Sequence, residues 1–193
     1  GVTSEASSLA GHQQLGNLVV LYDDNHISIE GDTGVSFSED VLARYRSYGW
    51  NVLHVDMCSD GSIDVPALDQ ALAEATSQSD KPTLVRVRNI IGWPAPKLQN
   101  TGKIHGSALG DAEVAATKEI LGIDPTQSFQ ISEAVLSHTR KVSERGAAIH
   151  GEWNKQLASW SSANPDAAKL YQRLLAREFP RDWHNVIPRF EPG

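Results

Sequence analysis

Two short segments of the chain contain side chains whose types and spacing could support chemistry, and the first is DDNHI at positions 23–27. It directly follows the apolar run LVVLY at 18–22, which is typical of a strand buried on both faces. Open α/β sheets bind ligands beyond the carboxyl ends of their strands. The Asn25 amide and the Ile27 carbonyl offer the oxygen ligands that Mg²⁺ or Ca²⁺ prefers. The alternative from residue types alone is an Asx-rich turn that simply ends the strand.

The second segment is GKIHG at positions 102–106, which places His105 beside a glycine. A histidine in this position can approach a ligand closely and can move protons near neutral pH. Lys97 and Lys103 add positive charge suited to phosphate groups. Loop histidines and lysines are equally common on solvated surfaces, so residue types alone leave both interpretations open. The other histidines form no metal-ligand spacing, and the sequence has no GxGxxG, Walker, nucleophile-elbow or paired-cysteine motif.

The elements that must position these segments alternate between strand and helix patterns up to about position 89, which is typical of βαβ units around a parallel sheet. Strands are predicted at 18–22, 50–56 and 82–89. Valine alternates with arginine at 85–88, which indicates one wet or site-lining face. The capping-box spacing SFSE at 36–39 predicts one helix start, and Asp64 with Pro66 predicts another.

A loop of unusual length follows from Ile90 to Gly110, and such loops are often functional. The rest of the chain has helical patterns. We predict one helix capped by Asp111, a long one that begins at Ser132 and a last one that begins at Asn164-Pro165.

Composition narrows the function classes. The 193 residues carry a formal net charge of −7, which argues against a general nucleic-acid binder because no basic stripe is present. The longest apolar runs are far below the roughly 18 residues that span a bilayer, so no membrane partner is expected. The single cysteine, Cys58, is typical of the reducing cytoplasm. A start at Gly1, without methionine, predicts that the chain is a fragment.

Colinear segments over essentially the whole chain resemble the transketolase family. They are SEASSLAGH at 4–12, LGNL at 15–18, YDDNHISIEG at 22–31, RY at 44–45, YGW at 48–50, DKPTL at 80–84, IIGW at 90–93, HG at 105–106, LGDAE at 109–113 and WN at 153–154. Each segment is a weak signal alone, and the set in this order is highly specific. The segments GWPAP at 92–96 and DW at 182–183 resemble the actinobacterial branch most.

The resemblance implies an α/β fold, a portion of a parallel-sheet thiamine-diphosphate-binding fold followed by a helical C-terminal segment. Residues 1–125 would be the C-terminal part of the diphosphate-binding domain, and 126–193 a helical extension with a linker toward the next domain. The implied cofactors are thiamine diphosphate and Mg²⁺ (or Ca²⁺). Asn25 would bind the metal through its side-chain oxygen and Ile27 through its backbone carbonyl. His105 would contact the diphosphate and act in catalysis, and Ile91 and Gly92 would line the cofactor pocket.

The chain also departs from the family pattern, because it begins just after the family's Gly-Asp-Gly motif, whose aspartate is a metal ligand. The resemblance implies ketol transfer between sugar phosphates in the pentose phosphate pathway, by a cytoplasmic homodimer. We expect activity only together with the missing segments of the enzyme and a second subunit, and no activity from the isolated chain. The alternatives are a non-catalytic, truncated interaction module and an enzyme similar to dihydroxyacetone synthase.

Overall fold

A computed structural model describes residues 2–190 of the chain. Gly1 and the last three residues of the predicted linker, 191–193, lie outside the described residues. The chain divides into two compact units, Gly1–Phe129 and Gln130–Gly193. The domain roles assigned above to 1–125 and 126–193 stay predictions, although their boundary lies close to this division.

The first unit contains a three-stranded parallel sheet in the order β1-β5-β4 and a small antiparallel hairpin formed by β2 and β3. The strands are β1 (Val19–Asp24), β2 (Ile27–Ser28), β3 (Gly31–Asp32), β4 (Asn51–Val55) and β5 (Thr83–Arg88). The last residues of β1 and β5, Asp24 and Arg88, are paired in register. The carboxyl ends of the two strands therefore meet at one edge of the sheet. The predicted α/β fold class and the three predicted strands are confirmed.

Six helices accompany these strands among the described residues. They are α1 (Thr3–His12), α2 (Val41–Ser47), α3 (Val65–Ser77), α4 (Asp111–Ile120), α5 (Glu133–Ala163) and α6 (Pro165–Leu175), with 3-10 turns at Thr33–Val35, Gly102–Ile104 and Trp183–Val186. The predicted caps of two helices are confirmed, since the Asp64 side chain accepts a hydrogen bond from the Ala67 N–H and Ser132 from the Val135 N–H.

Two predicted helix caps are wrong. The helix expected after the capping-box spacing at 36–39 is present as α2, but its cap is Asp40, whose carboxylate accepts the Ala43 N–H at 2.9 Å, and a negative charge at a helix N-terminus is favourable. Ser36 instead ends the preceding 3-10 turn. Asp111 is the first residue of α4 rather than its cap, and Gly110, with φ of 82°, precedes it.

The core of the first unit lies on both faces of β5, where successive side chains point to opposite sides. Val85 faces α3 and Leu84 faces α1 and α2. The cluster on the α3 side consists of Val55, Ala71, Ala75, Val85 and Val87, and the other of Ala10, Trp50 and Leu84. The Trp50 indole N–H donates to the Ser7 carbonyl at 2.8 Å, which ties β4 to α1. Burial on two faces makes β5 a rigid support for whatever lies at its carboxyl end.

The second unit is helical, and α5 and α6 contact each other within it. The rings of Trp160 and Tyr171 meet edge to face, with centroids 6.3 Å apart. Asn164 ends α5 and Pro165 opens α6, in the predicted order. None of the helices in residues 2–190 has the length and apolar character needed to cross a membrane.

Candidate functional site

The turn after β1 presents oxygen atoms at the edge of the sheet. The Asn25 Oδ1 accepts the Ile27 N–H at 2.9 Å, which closes an Asx turn, and His26 between them has φ of 60°. The Thr33 N–H donates to the His26 carbonyl, so His26 and Thr33 form a hydrogen-bonded pair. Along an antiparallel ladder, hydrogen-bonded pairs alternate with non-hydrogen-bonded pairs. The Ile27–Asp32 pair is therefore a non-hydrogen-bonded pair. Its geometry directs the Ile27 carbonyl away from β3.

The end of β5 holds this turn in place. The Arg88 Nη1 donates to the Asp24 carbonyl at 2.8 Å, and the Asn89 N–H donates to the same oxygen at 3.2 Å. The Asn89 side chain also reaches the turn, because its Nδ2 donates to Asp23 Oδ1 at 2.5 Å. The residues directly before Asn25 are thus bonded to the most deeply buried strand.

A buried carboxylate lies beneath the turn. Asp24 is 6 % exposed, and three cationic or titratable side chains approach it. His26 Nε2 is 3.2 Å from Oδ1, Arg86 Nε is 3.9 Å from Oδ2 and Arg88 Nη1 is 4.0 Å from Oδ1. A carboxylate at this depth needs such partners because burial of an unpaired charge is costly. Partial burial, together with the Asp24 charge and a hydrogen bond to it, raises the pKa of Tyr22. The Tyr22 phenol is therefore neutral at physiological pH.

The long loop returns to the same edge of the sheet. Its 3-10 turn packs on the hairpin, where a Cβ added to Gly102 would lie 2.9 Å from both the Gly31 nitrogen and the Ile29 carbonyl oxygen. Only glycine allows this approach without displacement of the backbone. Gly92, with φ of 71°, is similarly close to the Ile104 side chain, which a Cβ would meet at 1.9 Å. Both glycines therefore determine where the loop carries His105.

A buried glutamate on α4 fixes the middle of the loop. Glu113 is 7 % exposed, and its Oε1 accepts the N–H groups of Lys97 at 2.7 Å and Leu98 at 3.0 Å. The Thr101 hydroxyl then donates to the Leu98 carbonyl at 2.6 Å. These bonds give the loop a defined path although it contains no strand or α-helix.

Two clefts of about 620 Å³ and 350 Å³ adjoin at this edge, and Asp23, Asn25 and His105 line both of them. Ile27 lines the larger cleft, and Ile91 and Gly92 line the smaller one. The other lining residues are Tyr22, Asp24, His26, Asp32, Thr33, Gly34, Phe37 and Ser38 in the larger cleft, and Gly61, Ile63, Asn89, Ile90 and Trp93 in the smaller one. All five predicted site residues therefore line these two adjoining clefts, and their roles stay predictions.

The oxygen donors at this edge suit a hard cation. Asn25 Oδ1 and the Ile27 carbonyl each retain a lone pair for a metal, since a carbonyl oxygen has two. Within residues 2–190, no group of three or more His, Cys, Asp or Glu side chains is arranged to hold a metal ion. Mg²⁺ usually keeps several waters and shares ligands with substrate phosphates. These two oxygens fit a partial set of ligands for such an ion.

Sequence patterns assigned no role to three residues that shape the site, namely Asn89, Gly102 and Glu113. The sequence does contain a signal for Asn89, because this residue ends a buried strand at the same edge of the sheet as Asn25. The rule that ligands bind beyond the carboxyl ends of parallel strands applies to β5 as well as to β1. Gly102 and Glu113 act through contacts with segments distant in sequence, and no local pattern indicates those contacts.

The parallel sheet, with polar turns and a long loop at its carboxyl edge, defines an α/β ligand-binding domain. Residues 1–180 match the family model described as the transketolase, thiamine diphosphate binding domain. The chain belongs to this family, as its segments predicted. It is 50 % identical over 192 residues to the transketolase of Mycobacterium leprae and 40 % identical over 192 residues to the chloroplastic transketolase of Spinacia oleracea. All of the chain is covered in both cases, against 27 % and 25 % of those relatives.

Solved structures of transketolases also match the chain. The chain superimposes on the transketolase of Leishmania mexicana with a TM-score of 0.88 at 33 % identity, covering 99 % of the chain and 28 % of that protein. A transketolase of Pichia stipitis in complex with sedoheptulose 7-phosphate gives a TM-score of 0.85 at 39 % identity, covering 97 % of the chain and 27 % of that protein. The chain thus spans about a quarter of the length of these relatives.

Proposed function

We propose that this chain is one segment of a transketolase, which transfers a two-carbon ketol unit from a ketose phosphate to an aldose phosphate in the cytoplasmic pentose phosphate pathway. The observation that carries the proposal is that residues from three separate segments line two adjoining clefts in a chain that belongs to the transketolase family. These residues are Asn25, Ile27, Ile91, Gly92 and His105.

Thiamine diphosphate, when bound, supplies the electron sink for cleavage of the donor carbon–carbon bond. In our proposal, Asn25 Oδ1 and the Ile27 carbonyl hold the divalent cation that accompanies the diphosphate. Ile91 would offer an apolar side chain to the cofactor pocket, and Gly92 would contribute only its backbone, because the Ile104 side chain fills the space where a Gly92 Cβ would lie. His105 lies where both clefts meet, and its imidazole would donate to the diphosphate and hold or release a proton of the substrate.

The complete site would need more than this chain. Its two proposed metal ligands fill only part of an octahedral shell, and the relatives are about four times as long. We propose that the remaining segments of the enzyme and a second subunit complete the site, and that sugar phosphates are the substrates. The isolated chain would then bind thiamine diphosphate negligibly.

Calorimetric titration of thiamine diphosphate in the presence of Mg²⁺ tests the proposal, first on this chain and then on the enzyme with the missing segments restored. We expect no binding to the chain alone and binding after restoration. Asn25→Ala should abolish binding, while Asn17→Ala, a matched amide loss just before the amino end of β1, should leave it unchanged. Tight binding by the lone chain would contradict the need for other segments. No binding to either preparation would favour the non-catalytic module.

A further inference from the structure

The orientation of the Asn25 amide decides whether it can bind a cation, because only its oxygen has a lone pair to offer. Two contacts favour the same orientation. The Ile27 N–H, which can only donate, meets Oδ1 at 2.9 Å. The Asp23 carboxylate, which can only accept when ionised, lies 3.4 Å from Nδ2. A reversed amide would place two donors together at one end and two acceptors together at the other.

The contact with Asp23 is itself held from β5. The Asn89 Nδ2 donates to Asp23 Oδ1 at 2.5 Å and to the Val87 carbonyl at 3.2 Å. Both partners of this nitrogen are acceptors, so the Asn89 amide also has one favoured orientation. Val87 is 6 % exposed and belongs to the central strand. The Asn89 and Asn25 amides thus both donate to Asp23 Oδ1, which connects the buried backbone of β5 through two side chains to the Asn25 amide.

We propose that Asp23, held by Asn89, is a positioning residue that keeps the Asn25 oxygen turned toward the divalent cation. This inference rests on the proposed function. A different role for Asp23 would be simple attraction of the cation by its negative charge, or direct ligation. The two roles make different demands on position 23. Orientation needs an acceptor atom that receives the Asn25 N–H, whereas attraction or ligation needs the carboxylate charge.

Calorimetric titration of Mg²⁺ into the complete enzyme, saturated with thiamine diphosphate, separates these roles. Asp23→Leu removes the acceptor and should weaken the Mg²⁺ dissociation constant about 10- to 100-fold, as loss of a partner of a metal ligand typically does. Asp23→Asn removes the charge and keeps an acceptor oxygen that Asn89 still orients, so affinity should fall less than about fivefold. Asn89→Leu leaves the Asp23 charge in place and should nevertheless weaken Mg²⁺ binding, as Asp23→Leu does.

The matched control is Asp56→Asn, which removes an exposed carboxylate at the carboxyl end of β4 that bonds Arg86 instead of the turn. It should leave Mg²⁺ affinity unchanged. Equal losses in Asp23→Asn and Asp23→Leu would overturn the inference in favour of charge, as would an unaffected Asn89→Leu enzyme. Asp23 is exposed, so both of its variants should fold, and thermal unfolding checks this. If the unsubstituted enzyme binds neither ligand, the proposed function fails rather than this inference.

Discussion

Glu113→Ala is the sharpest test of how the long loop is held. In the native chain, one buried carboxylate oxygen accepts two backbone N–H groups, from Lys97 at 2.7 Å and from Leu98 at 3.0 Å. A hydrogen bond to a charged group stabilises a protein by about 1.5–3 kcal/mol net. Loss of both should therefore cost about 3 kcal/mol or more of local stability. This is a large fraction of the 5–15 kcal/mol that stabilises a typical domain.

Amide hydrogen exchange measures this cost at the two N–H groups themselves. A change of about 3 kcal/mol corresponds to roughly a hundredfold faster exchange at Lys97 and Leu98, since each 1.4 kcal/mol is a factor of ten. Glu113→Gln retains an acceptor oxygen in the same place and should raise the exchange rate much less. Glu119→Ala removes an exposed carboxylate from the same helix and should leave both amides unchanged.

The result that would refute this reasoning is a rise of less than about fivefold in Glu113→Ala, which corresponds to about 1 kcal/mol. The loop would then owe its path to its glycine contacts with the hairpin rather than to Glu113. A confirmed rise should be accompanied in the complete enzyme by weaker binding of thiamine diphosphate, because the same loop carries His105.

Four further predictions concern other parts of the chain. Gly102→Ala should destabilise the protein by about 1–3 kcal/mol because its Cβ would press on the hairpin backbone. Gly151→Ala in α5, where a Cβ meets no atom within 4 Å, should stabilise it by about 0.5–1 kcal/mol, both measured by denaturant unfolding. Trp50→Phe should cost about 2–4 kcal/mol in the same assay, since it removes a buried indole and its hydrogen bond. Hydrogen bonds from the Ser62 hydroxyl and, to a lesser extent, the Ser62 N–H lower the pKa of Asp60 below its ordinary 3.8. The stabilisation of the fold by ionised Asp60 is therefore full above pH 3.8 and is lost as pH falls through the folded-state pKa. The difference in thermal midpoint between the native protein and Asp60→Asn should shrink over that acidic range, and a difference independent of pH would contradict the assignment.

Much of the fold could be predicted because its signals are local. The continuous apolar run at 18–22 correctly predicts strand β1, and Asp64 and Ser132 precede their helices by the spacing that capping needs. The expected burial of that strand on both faces is wrong, because β1 lies at the edge of the sheet and Leu21 is 50 % exposed. The wrong prediction of a cap at Ser36 also comes from reliance on local signals. Ser36 and Asp40 both lie before a helical pattern, and the choice between them depends on the 3-10 turn at Thr33–Val35, which no periodicity indicates.

The site could be predicted only in part. Asn25 and Ile27 follow from the rule that ligands bind beyond the carboxyl ends of parallel strands. The β2–β3 hairpin that orients the Ile27 carbonyl has two-residue strands, which are too short to show alternation. The position of His105 depends on the contact of Gly102 with this hairpin, and such long-range contacts are not encoded in any window of sequence.

The chemistry of the two proposed metal ligands argues independently for an incomplete site. Asn25 Oδ1 and the Ile27 carbonyl are both neutral oxygens, and Mg²⁺ gives up its waters reluctantly. Two neutral donors replace two waters with little gain in Coulomb energy, so most of the binding free energy must come from anionic ligands. The diphosphate supplies some of this charge, and Asp23 lies near the ligands without being required to join them. We therefore expect no saturable Mg²⁺ binding to the isolated chain by calorimetry, even at a pH where every carboxylate is ionised. Saturable binding that Asp23→Asn abolishes would show instead that Asp23 is a direct ligand.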